Sequence, residues 1–335
     1  TAIGYKALTG FTTGNLNVSI GIQSGESSTT AYRNVYLGPY AGRYNTTGLG
    51  NIFIGYEAGK GASGVGAAHT YNVGIGYQSL ERIRTGAHNI AIGSYAGGNM
   101  DEGDYNVLLG NSAGNAITDG DSNVAIGYQS GVSMTTPSYN TYLGFQSGYR
   151  NVVGADNVAV GREAGENATG SYNTFVGSQA GKGGTDSAPY SSGQYNTAVG
   201  YLALTAFTTA VHNVAFGNDS MRTNTSGNYN TAYGSSAMRT NTTGGANVAL
   251  GYAAARDLDG GNYNVVVGNG AGYNLGGSSN NILIGDEAGY NINSSDANGT
   301  VAIGHEAGKA ITSGQRSALV GYQAGDSITT GDRNT

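Results

Sequence analysis

A short apolar run between an asparagine and a glycine recurs along the whole chain. Residues 123–127 read Asn-Val-Ala-Ile-Gly, and residues 89–93 read Asn-Ile-Ala-Ile-Gly. Most neighbouring copies are 17 residues apart. A fixed short period that continues through a chain is typical of a solenoid or fibre, and it takes precedence over local signals. The closing glycine of the motif, taken as position 0, occurs 19 times, at Gly4, Gly21, Gly38, Gly55, Gly76, Gly93, Gly110, Gly127, Gly144, Gly161, Gly177, Gly200, Gly217, Gly234, Gly251, Gly268, Gly285, Gly304 and Gly321.

The apolar residues alternate within each motif. Positions −3 and −1 are mostly Val, Ile, Leu or Thr, whereas position −2 is often Ala. Such alternation predicts a strand of about five residues, with positions −3 and −1 on one face and position −2 on the other. Stacking of successive coils is then expected to bury the Val and Ile columns as continuous apolar ribs.

The segment after each glycine predicts a corner and a weaker strand. Position +3 is Ala or Ser in all 19 copies, which indicates that another stretch of backbone lies against it. Ser, Thr and Asn with a second glycine follow, as in residues 45–48, and can form a second strand and a return corner. We therefore predict an all-β fold, a parallel β-solenoid (β-roll) of about 19 coils. Coils about 4.8 Å apart would make an elongated rod about 90 Å long.

The array shows no internal boundary. We expect residues 1–335 to form a single repeat array. The spacing lengthens near residues 60–70, 182–193 and 291–299, where we predict loops that project from the shaft. An incomplete repeat stands at each end, so we predict that the chain is a fragment of a longer fibre.

An asparagine column precedes the strands. Position −4 is Asn in 17 repeats, and the two exceptions are Thr300 and Ser317. Aligned Asn side chains can form an amide ladder between coils, or each can hold a corner by bonding to its own backbone. The two exceptions slightly favour the corner, since a hydroxyl can also serve there. We predict a structural ladder that includes Asn51, Asn89, Asn106, Asn123, Asn157, Asn247, Asn281, Gly55, Gly93, Gly110, Gly127, Gly161, Gly251 and Gly285.

Composition narrows the classes of partner. Charged residues make up 11% of the chain and the net charge of −6 is spread thinly, without a basic run, so we expect no nucleic-acid partner. Cysteine is absent, which is compatible with an extracellular location. The apolar runs are far shorter than the ~20 residues of a membrane-spanning helix, so we expect no membrane insertion in this segment.

Residues suited to catalysis or metal binding are scattered. The four histidines lie in four different repeats, and we expect no catalytic site and no cofactor. The acidic corners at residues 119–121 and 257–261 faintly resemble calcium loops, but they lack the closing bidentate Glu. We therefore predict solvated corners and no metal site.

Tyrosine is the residue type whose placement indicates a binding surface. The chain has 25 Tyr and no Trp, and Tyr occupies position −5 in many alternate repeats. A ring with an apolar body and a polar rim suits a carbohydrate or protein ligand. The alternative is that the rings stack on one another along the rod. The candidate surface-binding aromatics are Tyr105, Tyr139, Tyr229 and Tyr263.

The motif at residues 89–93, 123–127 and 300–304 resembles the head repeats of trimeric autotransporter adhesins, and similar repeats occur in phage tail-fibre and other fibrous surface proteins. Heads of that family are left-handed parallel β-rolls built from three identical chains. The resemblance implies a homotrimer in which either the −2 face or the −3/−1 face packs against neighbouring chains. The family's coil is shorter than 17 residues, and no stalk or coiled coil is recognisable here.

These features together predict a structural and adhesive fibre shaft, not an enzyme. We expect it outside the cell, on a cell or virion surface, where it mediates attachment. Its expected partners are copies of itself, as a homotrimer or an end-to-end filament, and glycans or host-surface molecules. One alternative is a self-assembling extracellular filament subunit. Another is a polysaccharide-degrading enzyme on a β-helix, which would need paired carboxylates in one groove.

Overall fold

The computed structural model describes residues 1–64, 67–184, 189–295 and 297–335. They form two compact units, Thr1–Glu163 and Ala164–Thr335. The loops expected near residues 60–70, 182–193 and 291–299 include residues 65–66, 185–188 and 296, which lie outside the described residues.

The first unit is a parallel stack of short strands, one from each coil. Successive strands pair in register, so that Val124 lies opposite Thr141 and Ala125 lies opposite Tyr142. A step from one strand to the next therefore repeats the same position of the motif. The described strands are β1 (Ala2–Ile3), β2 (Val18–Ile20), β3 (Val35–Leu37), β4 (Ile52–Ile54), β5 (Val73–Ile75), β6 (Ile90–Ile92), β7 (Val107–Leu109), β8 (Val124–Ile126), β9 (Thr141–Leu143) and β10 (Val158–Val160).

The second unit has the same construction. Val248 lies opposite Val265, and Ala249 lies opposite Val266. Its described strands are β11 (Thr174–Val176), β12 (Thr197–Val199), β13 (Val214–Phe216), β14 (Thr231–Tyr233), β15 (Val248–Leu250), β16 (Val265–Val267), β17 (Ile282–Ile284), β18 (Val301–Ile303) and β19 (Ala318–Val320). No helix occurs in the described ranges of either unit. The predicted fold class, an all-β parallel solenoid, is confirmed.

The strands are shorter than predicted, and the other half of the coil is turn rather than strand. Apart from β1, each described strand has three residues. The segments expected as a second strand make only isolated bridges in the described part of the chain, such as Tyr32 with Leu49. Neighbouring coils still bond there, since the Thr118 N–H donates to the Thr135 carbonyl at 2.8 Å. The segment is cut off from the next strand by a left-handed residue, Tyr139 with φ 62° for example.

The alanine side of each strand faces inward. Ala91 at position −2 is fully buried, whereas Ile90 and Ile92 are 40% and 41% exposed. The Val and Ile ribs therefore form on the surface, and the expectation that stacking buries them was wrong. The reason is the narrow interior. The hydroxyl of Ser79 at position +3 donates to the Ala91 carbonyl at 2.8 Å, so the corner of one coil lies directly against the strand of the next.

Three positions share this interior. Where position −2 is large, position +4 is Gly, and a Cβ at Gly148 would lie 2.4 Å from the ring of Tyr142. In most repeats where position −2 is Ala, a large buried residue stands at position +4 or +7, as Leu204 does in the repeat of Ala198; the repeat of Ala159, with Gly165 and Ala168, is an exception. The volume given up at one position is thus recovered at another, as close packing of an interior requires.

The central glycine is required by the coil next to it. Its φ lies between 130° and 143° at every copy, a region that disfavours other residues. A Cβ at Gly110 would come within 2.5 Å of the Gly127 carbonyl oxygen in the following coil. A side chain at this position would push the coils apart, which explains why the column contains glycine alone.

Replacing Leu204 by Ala should lower the free energy of unfolding by about 2–5 kcal/mol, because the cavity left in this interior cannot collapse fully. Leu202→Ala is the matched control. Both leucines have left-handed φ, 51° and 57°, but Leu202 is only half-buried, so its loss should stay below about 1.5 kcal/mol. Urea unfolding followed by circular dichroism measures both changes. Equal losses would contradict the inward placement of position +4.

Candidate functional sites

The asparagines of the predicted ladder make two kinds of hydrogen bond inside the stack. The Oδ1 of Asn106 accepts the backbone N–H of Asn123 at 2.9 Å and its Nδ2 at 3.0 Å. The Nδ2 of Asn106 donates to the Gly120 carbonyl, 2.8 Å away and on the far side of the same coil. In the second unit the Oδ1 of Asn247 likewise accepts the N–H of Asn264 at 2.9 Å. All these side chains are buried.

One side chain therefore links two coils and also closes its own coil. The closing bond reaches a carbonyl 14 residues away. The same Nδ2 of Asn106 also donates to the local Asp104 carbonyl at 3.1 Å, so the ladder and the corner roles occur together. The two exceptions retain part of this pattern: the Thr300 N–H donates to the Asn281 Oδ1 at 2.9 Å, and its hydroxyl lies 3.5 Å from the Gly314 carbonyl. The same Nδ2–H to Oδ1 hydrogen bond to the asparagine of the preceding coil is donated by Asn51, Asn89, Asn157 and Asn281.

The tyrosines at position −5 form ring stacks on the surface. In the first unit the ring of His88 lies between Tyr71 and Tyr105, with centroids 5.2 and 5.1 Å apart. In the second unit a stack runs through Tyr172, Tyr195, His212 and Tyr229, with centroids 4.8–5.1 Å apart. Ser122 interrupts the column before Tyr139, and Ala246 interrupts it before Tyr263. The rings are both stacked and exposed, so the two interpretations of this column are compatible.

The outward side of the strands is a second exposed surface, named the strand face here and formed by positions −3 and −1. It carries aliphatic side chains in both units, including Ile90 and Ile92 in the first and Val248 and Leu250 in the second, and all four are exposed. An extended exposed apolar surface is unusual for a monomer and is typical of an interaction site.

A groove of about 740 Å³ in the first unit was not predicted from the sequence. Lys60 lies 2.9 Å from a carboxylate oxygen of Glu57 and 3.4 Å from one of Glu81. Arg84 lies 3.0 Å from Asp101. Two of the three cations that line the groove, Lys60 and Arg84, are therefore paired with carboxylates. Residues that line it are Tyr44, Lys60, Gly61, Ala62, Ser63, Glu81, Arg82, Arg84, Asn99, Asp101 and Thr118.

Ion pairing in this groove also shifts proton affinities. Burial alone would raise the pKa of Glu57, but hydrogen bonds from Lys60 and Gln78 outweigh it and leave that pKa below its ordinary value. Burial would lower the pKa of Lys60, but Glu57 and Glu81 raise it overall. Both groups are therefore held in their charged forms at neutral pH, which makes them structural ion pairs rather than proton donors or acceptors.

Carboxylates on adjacent coils occur at the corner beside the tyrosine column. One oxygen of Asp104 accepts the backbone N–H of Ala87 at 2.7 Å, and one oxygen of Asp121 accepts the N–H of Asp104 at 2.7 Å. These bonds give both residues a structural role. In the ranges described, no group of three or more His, Cys, Asp or Glu is placed to hold a metal ion.

His69 is a fully buried histidine in the longer coil that follows β4. Its ring packs edge-on against Phe53, with centroids 5.2 Å apart, and its carbonyl accepts a hydrogen bond from Asn51 at 2.9 Å. Among the described residues, neither ring nitrogen has a hydrogen-bond partner. Burial therefore lowers the pKa of His69 to about 3 from an ordinary 6.5. The positions of the four histidines in the sequence do not indicate that His69 is buried.

Comparisons of the chain with protein-family models, with curated proteins and with solved structures find no match. Across the part of the chain that the structure covers, no helix has the length and apolarity to span a bilayer. The class of protein is therefore defined by the fold alone, and the chain is a β-solenoid repeat protein.

Acidification should destabilise the first unit through His69. The unfolded chain binds a proton below pH 6.5, whereas the folded chain resists it until about pH 3. Stability present above pH 6.5 should therefore fall by about 1.4 kcal/mol for each pH unit within that window. Urea unfolding between pH 7 and about pH 5 measures the slope, because carboxylates titrate mainly below this range.

The matched variants for this prediction are His69→Leu and His88→Gln. The first removes the buried imidazole and should flatten the slope. The second removes an exposed histidine and should leave the slope as it is. A slope that persists in His69→Leu would show that other groups cause the pH dependence.

Proposed function

We propose that this chain is the shaft of an extracellular attachment fibre, displayed on a cell or virion surface. The observation that carries the proposal is the tyrosine column, a row of exposed rings repeated from coil to coil on each unit. Exposed Tyr rings combine apolar area with a hydrogen-bonding hydroxyl, which suits adhesion to varied surfaces.

The construction of the coils supports a role in display. The asparagine bonds and the packing of positions −2, +4 and +7 lie inside the stack. The columns of surface residues contribute little to these bonds and to this packing. Residues that face outward can therefore bind a partner without loss of the fold. A chain without cysteine also folds alike in oxidising and reducing surroundings. The resemblance of the repeat motif to trimeric autotransporter adhesin heads and phage tail fibres also supports this proposed role.

Beads coated with the purified chain should be retained on mucin-coated glass under flow. Replacing the column tyrosines, among them Tyr105, Tyr139, Tyr229 and Tyr263, by Ser should reduce retention about tenfold or more, a loss of about 1.4 kcal/mol of binding. The control replaces the same number of tyrosines at position +1, such as Tyr77 and Tyr128, and should retain the beads. Retention of the unchanged chain no better than that of albumin-coated beads would contradict the attachment role.

Self-association is the second candidate, and the strand face favours it. Aliphatic side chains along this face remain exposed in each unit, and a second copy of the chain offers a matching apolar surface. Burial of such area at about 25 cal/mol per Å² can stabilise a homotrimer or an end-to-end filament. In this arrangement the −3/−1 face, not the −2 face, contacts the neighbouring chain.

Light scattering should give three times the 33.9 kDa chain mass for a trimer, and a mass that rises with concentration for a filament. Ile90→Lys combined with Ile92→Lys places two charges on the strand face and should return the mass toward 33.9 kDa. Thr85→Lys adds charge at an exposed turn and is the control. A monomeric mass for the unchanged chain would overturn self-association and leave the attachment role in place.

A further inference from the structure

Within the two units the tyrosine column contains two gaps in which one ring is missing; Asp156 also separates two tyrosines, but Tyr139 and Tyr172 belong to different units. In the first unit Ser122 stands between Tyr105 and Tyr139, and in the second unit Ala246 stands between Tyr229 and Tyr263. The four flanking tyrosines, two of which end a stack, are 61–68% exposed, whereas Tyr71, Tyr172 and Tyr195 are 49–50% exposed. The gaps thus uncover ring surface that the stacks hide.

The backbone does not change at the gaps. The φ angles are 57° at Tyr105, 56° at Ser122 and 62° at Tyr139. Ala246, with φ 55°, also matches its neighbours. The column therefore continues in register and lacks only the ring. Each gap is a slot with a tyrosine on either side and a small residue as its floor.

The width of a slot follows from the stacking distance. The centroids of His88 and Tyr105 are 5.1 Å apart and their planes differ by 2°. Two such steps place the slot tyrosines about 10 Å apart. A guest in contact with both rings at about 3.5–4.0 Å would be about 2–3 Å thick. A puckered pyranose ring with axial substituents fills this width. The same width also holds a flat ring, since His88 lies stacked between Tyr71 and Tyr105.

The chemistry of the walls also fits a sugar. The face of an aromatic ring is electronegative, and it attracts the electropositive C–H groups of a pyranose. A ring inside a stack, such as Tyr195 between Tyr172 and His212, has both faces covered by its neighbours. The slots therefore offer opposed ring faces to a guest, although other tyrosines of the column are also exposed.

Five of the six positions of the two slots are preceded by a residue with a polar side chain, and the exception is Gly245 before Ala246. Asp104 and Asp121 lie beside the first slot, and Asn228 and Asn262 lie beside the second. Each uses one oxygen to accept a backbone N–H, at 2.8 Å from Val211 to Asn228 for example. A carboxylate or amide group has further hydrogen-bonding capacity, which can serve sugar hydroxyls. The two carboxylates disfavour an anionic sugar.

We propose that these two tyrosine pairs are glycan-binding slots, each of which takes one neutral hexopyranose ring of a surface oligosaccharide. The inference rests on the proposed attachment role and names the chemical class of its target. It restricts binding to Tyr105 with Tyr139 and to Tyr229 with Tyr263, rather than to the column as a whole.

The first experiment tests the purified chain against an array of neutral glucose, galactose and mannose oligosaccharides, with calorimetry on the tightest binder. We expect two sites per chain. Ser122→Tyr combined with Ala246→Tyr fills both slots and should weaken binding at least tenfold, even though it adds two exposed rings. Nonspecific adhesion to aromatic surface predicts the opposite change. Circular dichroism should show an intact fold, since the column already accepts Tyr at the same φ.

Further variants separate the slots from the rest of the column. Tyr105→Ala combined with Tyr229→Ala removes one wall of each slot and should also weaken binding at least tenfold, whereas Tyr77→Ala should leave it within twofold. His212→Ala opens a new gap between Tyr195 and Tyr229 and should add a site.

Three results would overturn the slots: no binding to any array sugar, unchanged binding when the slots are filled, or tighter binding of indole than of sugar. If coated beads still adhere while the sugars fail to bind, the attachment role stands and the slots do not.

Discussion

The hydrogen bond between the side-chain amides of asparagines in successive coils is the interaction on which the rest of this structure depends. A single coil of 17 residues buries too little apolar surface to offset the entropy of ordering it. Asn106 shows how stacking solves the problem. Its oxygen satisfies two donors of Asn123, and its nitrogen ties the strand to the Gly120 carbonyl across the coil. One buried side chain thus holds both the coil and the stack, and loss of it would leave buried donors without partners.

The backbone hydrogen bonds between successive strands set the spacing of everything outside the stack. Because each position recurs about every 5 Å along a unit, equivalent side chains form columns. The stability of a column depends on how each side chain interacts with the one on the next coil. Rings tolerate this spacing by stacking, as His88 does with Tyr105. Charges tolerate it by alternating, as Lys60 does between Glu57 and Glu81. The low charge content of the chain, 11%, follows from the cost of like charges held this close.

Much of the fold could be predicted, because a repeat reports the same constraint many times. The period, the strands, the Asn column and the close approach at Gly110 all follow from residues that recur. The direction of the strand faces could not be predicted. Hydrophobicity favours Val and Ile as core, yet position −2 faces inward both where it is small, as at Ala91, and where it is large, as at Phe53. Burial of His69 occurs in a single longer coil, so no repeated position of the sequence could indicate it.

The candidate sites show where such a regular molecule can acquire specificity. In an uninterrupted column each ring covers the faces of its neighbours, and only the ring edges are exposed. Such a uniform surface favours general adhesion over recognition of a particular ligand. A small residue in the column, Ser122 or Ala246, costs one stacking contact and exposes two opposed faces at a defined separation. The asparagine bonds beneath it are unaffected, since Asn123 and Asn247 stay buried in register. In a solenoid, a ligand site can therefore arise by omission of a side chain, without change to the backbone or the core.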